Sequence, residues 1–460
     1  MNVVRRWLIA TLPLQAGLWA ARASAQIAQT ARAGPAPLAV FSDALGDDES
    51  KAVAAITRIA ENWHESSAAL LIEMIHFMQS RRALKSVLAL IERASGRPFE
   101  GGVDVWYEWL WSVERPVHPD HALFKAMLYA PIDPRFAEYF EGRPKTLIRL
   151  DEIRWGGVRR DGIPPLKNPL MIAARDATWL QGDDIVFGVA INGDLRAYPK
   201  RILAWHEMFK DRIGGRELAG VYCTLCGALV LYDVTVAGMQ HELGTSGFLY
   251  RSNKLMYDHA TKSMWSTLTG TPVVGALVGK GIELQPLYVV TTTWKEWRQR
   301  HPATQVLSLD TGHRRDYGEG VAYRDYFATD RLMFNVPTRD DRLPNKAEVL
   351  ALRLAGAPGE ALAVAADFLA ANPVYQGRIG STEFVVLTDR SGANRVYESQ
   401  GVRFAEWDQQ ATVRDAAGGV WQMGEGLLTS ATGRVLKRLP AHRAFWFGWH
   451  AAYPATRLVK

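Results

Sequence analysis

Cysteine is almost missing from this chain: 460 residues contain two. Both fall in one hexapeptide, Tyr222-Cys223-Thr224-Leu225-Cys226-Gly227. That scarcity excludes a disulfide framework spread over the chain and gives cysteine no general part in core packing. Long apolar runs are missing too. Beyond the N-terminus no stretch reaches the roughly 18 unbroken apolar residues that a transmembrane helix needs, so no span is expected in the mature chain. There is also no basic tract. The 54 Lys and Arg only slightly outnumber the 48 Asp and Glu and are scattered, which leaves no electrostatic footprint for nucleic acid.

The N-terminus carries an address. Arg5-Arg6 precedes an apolar run from Trp7 to about Ala20, and Ala23-Ser24-Ala25 offers small residues for cleavage before Gln26. This pattern predicts a secretory signal over 1–25 and an exported protein, periplasmic where the host has two membranes. The paired arginines leave a twin-arginine route open, although no Ser or Thr precedes them. Cleavage would remove Arg5, Arg6 and Arg22, lowering the formal net charge of +6 by three. Length and a 48% hydrophobic content suit two or more domains with ordinary cores.

Residues 40–145 read as a helical scaffold. Apolar residues recur at helical spacing in 51–60, 68–77 and 84–91, broken by Gln79-Ser80-Arg81-Arg82 and ended by Gly96-Arg97-Pro98. Helix pairs of this length resemble a fragment of an α-solenoid. Trp106, Trp109 and Trp111 form an aromatic stripe best read as core, with His118 and His121 in a following loop. From about 146 the texture becomes strands and glycine-rich turns. Ile185–Ile191 runs through Asn192-Gly193-Asp194 into a return strand ending at Pro199, followed by a short helix over Ile202–Phe209. Strands Leu218–Tyr222 and Leu229–Tyr232 flank the cysteine turn. A turn of this kind carrying C-x-x-C-G has the shape of a metal-binding knuckle, whose amides also hydrogen-bond the sulfurs.

The second half repeats the first. Leu287, Trp294, Trp297 and Pro302-Ala303-Thr304 recur at identical spacing as Leu439, Trp446, Trp449 and Pro454-Ala455-Thr456. Asp258…Trp265 corresponds to Asp415…Trp421 with one deletion, and Arg212-Ile213-Gly214 with Glu217 to Arg378-Ile379-Gly380 with Glu383. The expected fold is therefore α+β: a helical N-terminal region followed by a tandem duplication of a β-rich unit with short helices. The first unit, 146–320, carries the Cys/His site, and 321–460 is a second, degenerate copy. The duplication is its own control. Cys223 and Cys226 align with Asp389 and Gly392, and His206 falls near Ala371-Asn372, whereas the shared positions are those a common fold needs. The cysteines and His206 thus belong to copy one alone, which points to function.

Several motifs fall in order. They are Asn192-Gly193, Arg196-Ala197-Tyr198-Pro199, Trp205-His206-Glu207, Tyr222-Cys223-x-x-Cys226-Gly227 and Gly244-Thr245-Ser246-Gly247. Leu255-Met256-Tyr257-Asp258, Ser263-Met264-Trp265-Ser266, Asp310-Thr311-Gly312 and Phe445-Trp446-Phe447-Gly448-Trp449 follow. Over about 150–456 the chain resembles a prokaryotic family catalogued as domain of unknown function 3179. The resemblance implies extent and motif, and no reaction. At Lys210 the chain departs from the family pattern, which more often has Asn before the Asp, so no role is carried over to that residue.

Three chemistries suit the hexapeptide. Thiolates Cys223 and Cys226 with the His206 imidazole make a Cys2His set for copper or zinc, with Asp258 a fourth candidate beside His259, Met256 or water. Glu207 would orient His206 or act as general base, and Ser246 is a candidate nucleophile in the wall of the same pocket. On this reading the protein is an exported metal-binding protein, open to redox or other metal catalysis, acting on a small molecule or protein that the sequence does not name. Alternatively the cysteines cycle as a thiol–disulfide pair, or form a Cys223–Cys226 disulfide in a non-enzymatic scaffold. Asp310 and Arg315 lie in a polar loop joining the copies, and His241 and His259 read as surface residues.

Overall fold

A computed structural model describes residues 34–354 and 359–460; the predicted signal segment, 1–25, lies outside the described residues. The chain divides into two compact units at His121/Ala122.

In the first unit, sequence periodicity becomes helices with identifiable ends. Helix Glu49–Glu61 is capped by the Asp48 carboxylate, which accepts from Lys51 N, and buries Ala52, Ala55, Ile56 and Ile59 on one stripe. Arg81–Ser95 is capped by Ser80 and stopped by Gly96 in the left-handed conformation. Ser67–Met74 and Val103–Trp111 complete the main helices. Trp106 is fully buried and donates from Nε1 to Arg97 O at 2.9 Å. His118 and His121 are also buried: His118 Nε2 meets Ala36 O at 3.0 Å, and His121 Nε2 meets the Glu73 carboxylate at 3.3 Å.

The second unit is β-rich, and its topology states the duplication directly. In one sheet the strands run Val290–Thr293, Ile185–Ile191, Asp194–Pro199, Gln305–Leu307. In another they run His442–Phe445, Glu348–Arg353, Ala361–Ala365, Arg457–Val459. Both sets pair antiparallel, antiparallel, then parallel. The ladders are also in step. Thr293 faces Ile185 as Phe445 faces Glu348, and Val186 faces Pro199 as Val349 faces Ala365. Meanders Met208–Ile213, Arg216–Cys223, Ala228–Asp233 and Val374–Ile379, Thr382–Thr388, Asn394–Glu398 correspond likewise. This register makes Lys200 equivalent to Ala366, His206 to Asn372, Tyr222 to Thr388 and Cys223 to Asp389.

The paired tryptophans explain why these positions recur. Helices Trp294–Arg300 and Trp446–Ala452 each bury two indoles against their sheet. Trp297 Nε1 donates to Thr304 Oγ1 at 2.9 Å, as Trp449 Nε1 does to Thr456 Oγ1 at 3.0 Å. A buried indole removes about 200 Å² from water, roughly 5 kcal/mol of transfer free energy. One expectation is corrected here. The helix predicted over Ile202–Phe209 spans Lys200–His206. Glu207 ends it at φ +55, and Met208 opens a strand. Sheet pairing overrides helical spacing because the Phe209 ring stacks on Tyr198 at 3.8 Å and lies over Gly220, where a Cβ would stand 2.1 Å from it.

Candidate functional site

The two cysteines sit in a hairpin turn whose geometry the sequence imposes. Strand Arg216–Cys223 ends at the first sulfur and Ala228–Asp233 leaves the turn. Cys226 N donates to Cys223 O at 3.1 Å and Gly227 N to Thr224 O at 3.3 Å. Gly227 closes the turn at φ +58, where a Cβ would meet the Phe445 ring at 2.9 Å, so glycine is required twice over. Both cysteines are free thiols, with sulfurs 2.7 Å apart and hydrogen-bonded.

Their surroundings differ. Cys223 lines a cavity of about 60 Å³ walled by Val158, Ile163, Leu225, Phe248, Leu249 and Phe334. Cys226 lies behind it, fully buried, taking a hydrogen bond from Asn253 Nδ2 at 3.1 Å and packed against Gly448. Burial pushes the Cys223 thiol up. Hydrogen bonds from Cys226 and from the backbone N–H of Lys254 outweigh that, leaving it below the ordinary cysteine range. Burial, together with the hydrogen bond and charge of Cys223, pushes Cys226 well above it.

Five polar side chains share the cavity with Cys223: Glu207, Lys254 and Tyr323, with the hydroxyls of Thr224 and Thr245. Lys254 Nζ lies 2.5 Å from Glu207 Oε2, while Thr224 Oγ1 and Tyr323 OH each donate to Glu207 Oε1 at 3.2 Å. Burial, and then the Glu207 charge, push the Tyr323 phenol far up, so it is a donor at any ordinary pH. Sequence reasoning placed Glu207 here and missed Lys254 and Tyr323. Lys254 follows a two-residue turn in which Arg251 and Ser252 both have positive φ, +50 and +61. Such a turn is ordinarily announced by Asn-Gly or Asp-Gly, and Arg-Ser gives no such signal. The Lys254 position, directly before Leu255-Met256-Tyr257-Asp258, was the only cue.

The other expected donors stand elsewhere. His206 is fully buried, with Nδ1 2.9 Å from Pro164 O and Nε2 2.6 Å from Tyr317 OH. Since a carbonyl only accepts, Nδ1 carries the proton and Nε2 accepts from the phenol. Burial pulls the imidazole pKa down to about 4, so the ring is neutral. Asp258 is also spent: it accepts from Thr261 N at 2.7 Å, Thr261 Oγ1 at 2.9 Å and His241 Nδ1 at 3.0 Å. His241 is thereby corrected from a surface to a buried residue, edge-on to Trp265. Ser246 is fully buried and donates to Leu255 O at 2.7 Å; strand alternation turns its neighbours Thr245 and Gly247 to the cavity instead. Among the described residues no three or more His, Cys, Asp or Glu side chains converge as a metal site. The structure thus brings Glu207 to the cavity that Cys223 lines, with Cys226 behind that sulfur, and places His206, Asp258 and Ser246 elsewhere.

No helix among the described residues is long and apolar enough to cross a membrane. No curated protein matches the chain, and no solved structure does. Residues 160–456, which hold the cysteine turn and most of the cavity and of the two β-rich repeats, match the family described as Protein of unknown function (DUF3179), and the chain belongs to that family.

Proposed function

We propose that Cys223 and Cys226 form a dithiol–disulfide redox centre in an exported protein, with Cys223 the attacking sulfur and Cys226 the resolving one. The observation that carries this reading is the asymmetry of the pair: Cys223 lines a cavity, whereas Cys226 is buried behind it against Asn253 and Gly448. Thiol–disulfide exchange needs that division of labour. The Cys223 thiolate attacks one sulfur of a partner disulfide, forming a mixed disulfide and releasing the other partner sulfur as thiolate. Cys226 then attacks Cys223 Sγ, closing the intramolecular disulfide, and its proton leaves with the second partner thiol. The partner gains two electrons and the protein loses two. Glu207, Lys254 and Tyr323 supply a charged, hydrogen-bonding wall opposite an apolar one, which suits a thiol or disulfide with one polar end. Export to an oxidising compartment fits a dithiol that cycles.

A second reading rests on the same two sulfurs. Adjacent soft thiolates, with the Met333 thioether in the same cavity, match a copper(I) ion better than a zinc ion asking for three or four protein donors. One experiment separates the readings. Untagged protein from the exporting compartment is assayed for bound metal and for free thiols across a series of glutathione redox buffers. A reversible loss of two thiols with one midpoint, abolished in Cys223→Ser and without stoichiometric metal, supports the redox centre. One equivalent of copper that protects both thiols overturns it in favour of the metal.

A further inference from the structure

The cysteine turn has a second face, and a different cavity lies against it. This one holds about 90 Å³ and is built where the repeats meet. The first repeat contributes Lys200, Tyr222, Gly227 and Thr292, and the second contributes Ser391, Arg443 and the carboxylate of Glu348. The seam is tight: Phe445 N donates to Cys226 O at 2.7 Å, and Thr292 Oγ1 lies 3.2 Å from Ser391 Oγ.

Two groups in this wall make no hydrogen bond or ion pair among the described residues. Tyr222 is 1% exposed, and its hydroxyl has no hydrogen-bond partner among the described residues. A buried hydroxyl in that state has given up its hydrogen bonds to water without replacing them. Lys200 forms no ion pair among the described residues; its ammonium rests over the Phe327 ring at 4.5 Å. The remaining charges balance, because Arg443 pairs with Glu348 at 3.0 Å and donates to Asn394 Oδ1 at 2.7 Å. The cavity therefore offers one uncompensated positive charge and one unused donor.

The duplication again serves as a control. The equivalents of Lys200 and Tyr222 are Ala366 and Thr388, and the Thr388 hydroxyl is satisfied by Asn394 Nδ2 at 2.9 Å. The fold thus needs neither a cation nor an orphan hydroxyl at these positions. We propose that this seam binds a small carboxylate, with Lys200 as its counter-charge and the Tyr222 hydroxyl as a donor to one of its oxygens. A carboxylate accepts two or more charge-assisted hydrogen bonds, and the cavity is roomy enough for a carboxylate group. The carboxylate could belong to a free acid or to a chain terminus.

The test is calorimetric titration of the mature full-length protein with sodium acetate and with N-acetylglycine at constant ionic strength, with sodium chloride as control. Saturable binding of acetate, weakened at least tenfold in both Tyr222→Phe and Lys200→Met and unchanged in Cys223→Ser, establishes the site apart from the dithiol. Acetate alone would indicate a free acid, and binding of both would indicate a chain terminus. Tyr222→Phe removes only an unpartnered hydroxyl and should melt no lower than the parent, which keeps the comparison among folded proteins. Absence of saturable binding, an equal response to chloride, or undiminished binding in both variants overturns the proposal.

Discussion

At the scale of the residue, the thiol asymmetry is the property that matters most. Because hydrogen bonds hold Cys223 below the ordinary range against its burial, its alkylation by iodoacetamide should reach half its maximal rate at a pH below that of a free cysteine. Cys226→Ala removes one of those donors and should move the midpoint upward. A midpoint that stays put would mean Cys226 does not stabilise the thiolate. His206 makes a separate prediction. Its folded pKa of about 4 lies below the ordinary 6.5, so folding favours the neutral ring. The associated stability is fully present above pH 6.5 and is lost as pH falls from there toward 4. A shift of that size corresponds to about 3 kcal/mol. Denaturant unfolding at pH 7.5 and pH 4.5 should show the loss, and His206→Asn, which installs the residue of the second repeat, should flatten it. Cys223 alkylation should be unchanged in that variant. A slower rate would tie His206 to the sulfurs after all.

At the scale of the element, the two equivalent turns show one scaffold carrying different contents. Where the first repeat has Cys223, the second has Asp389, which accepts from Ser391 N at 3.0 Å and Ala393 N at 3.1 Å and pairs with the fully buried Arg395 at 2.9 Å. Arg395 also pairs with Glu425 at 2.9 Å. Removing one partner of a buried pair leaves a desolvated charge, so Asp389→Ala should cost about 3 kcal/mol in chemical denaturation without touching the thiols. Gly188 tests the helix–sheet contact of the first repeat. A Cβ there would stand 2.3 Å from the Trp297 ring, and Gly188→Ala should destabilise by about 1–3 kcal/mol or more through overpacking, read as a fall in Tm. The glycine pattern was visible in the sequence. What each glycine faces was not, since the ring that forbids a Cβ at Gly188 comes from more than a hundred residues downstream.

At the scale of the whole β-rich unit, the second repeat is a structural support for the first. Cys223, Cys226, Trp265, Phe445, Trp446 and Trp449 lie in one buried cluster, and Gly448 of the second repeat sits 3.2 Å, measured from an ideal Cβ, from Cys226 Sγ. The repeats should therefore unfold in a single cooperative step. Hydrogen exchange by mass spectrometry should show the strands Arg216–Cys223 and Glu348–Arg353 opening with the same free energy. Two separate transitions would contradict that shared core.

The α+β class, the duplication and the singular position of the cysteines were legible in the linear chain. Each rests on local periodicity or on comparison of one half with the other, and neither requires knowing what touches what. Partnership at the site was settled only in three dimensions. His206 lies one residue before Glu207, yet a helix end in the left-handed conformation sends the carboxylate to the cavity and the imidazole to Tyr317. Lys254 and Tyr323 join Glu207 from the start of a strand, Asn253–Asp258, and from a connecting loop far along the chain. Side-chain direction at a helix end and convergence across long loops depend on tertiary packing, and spacing along a sequence carries no record of either.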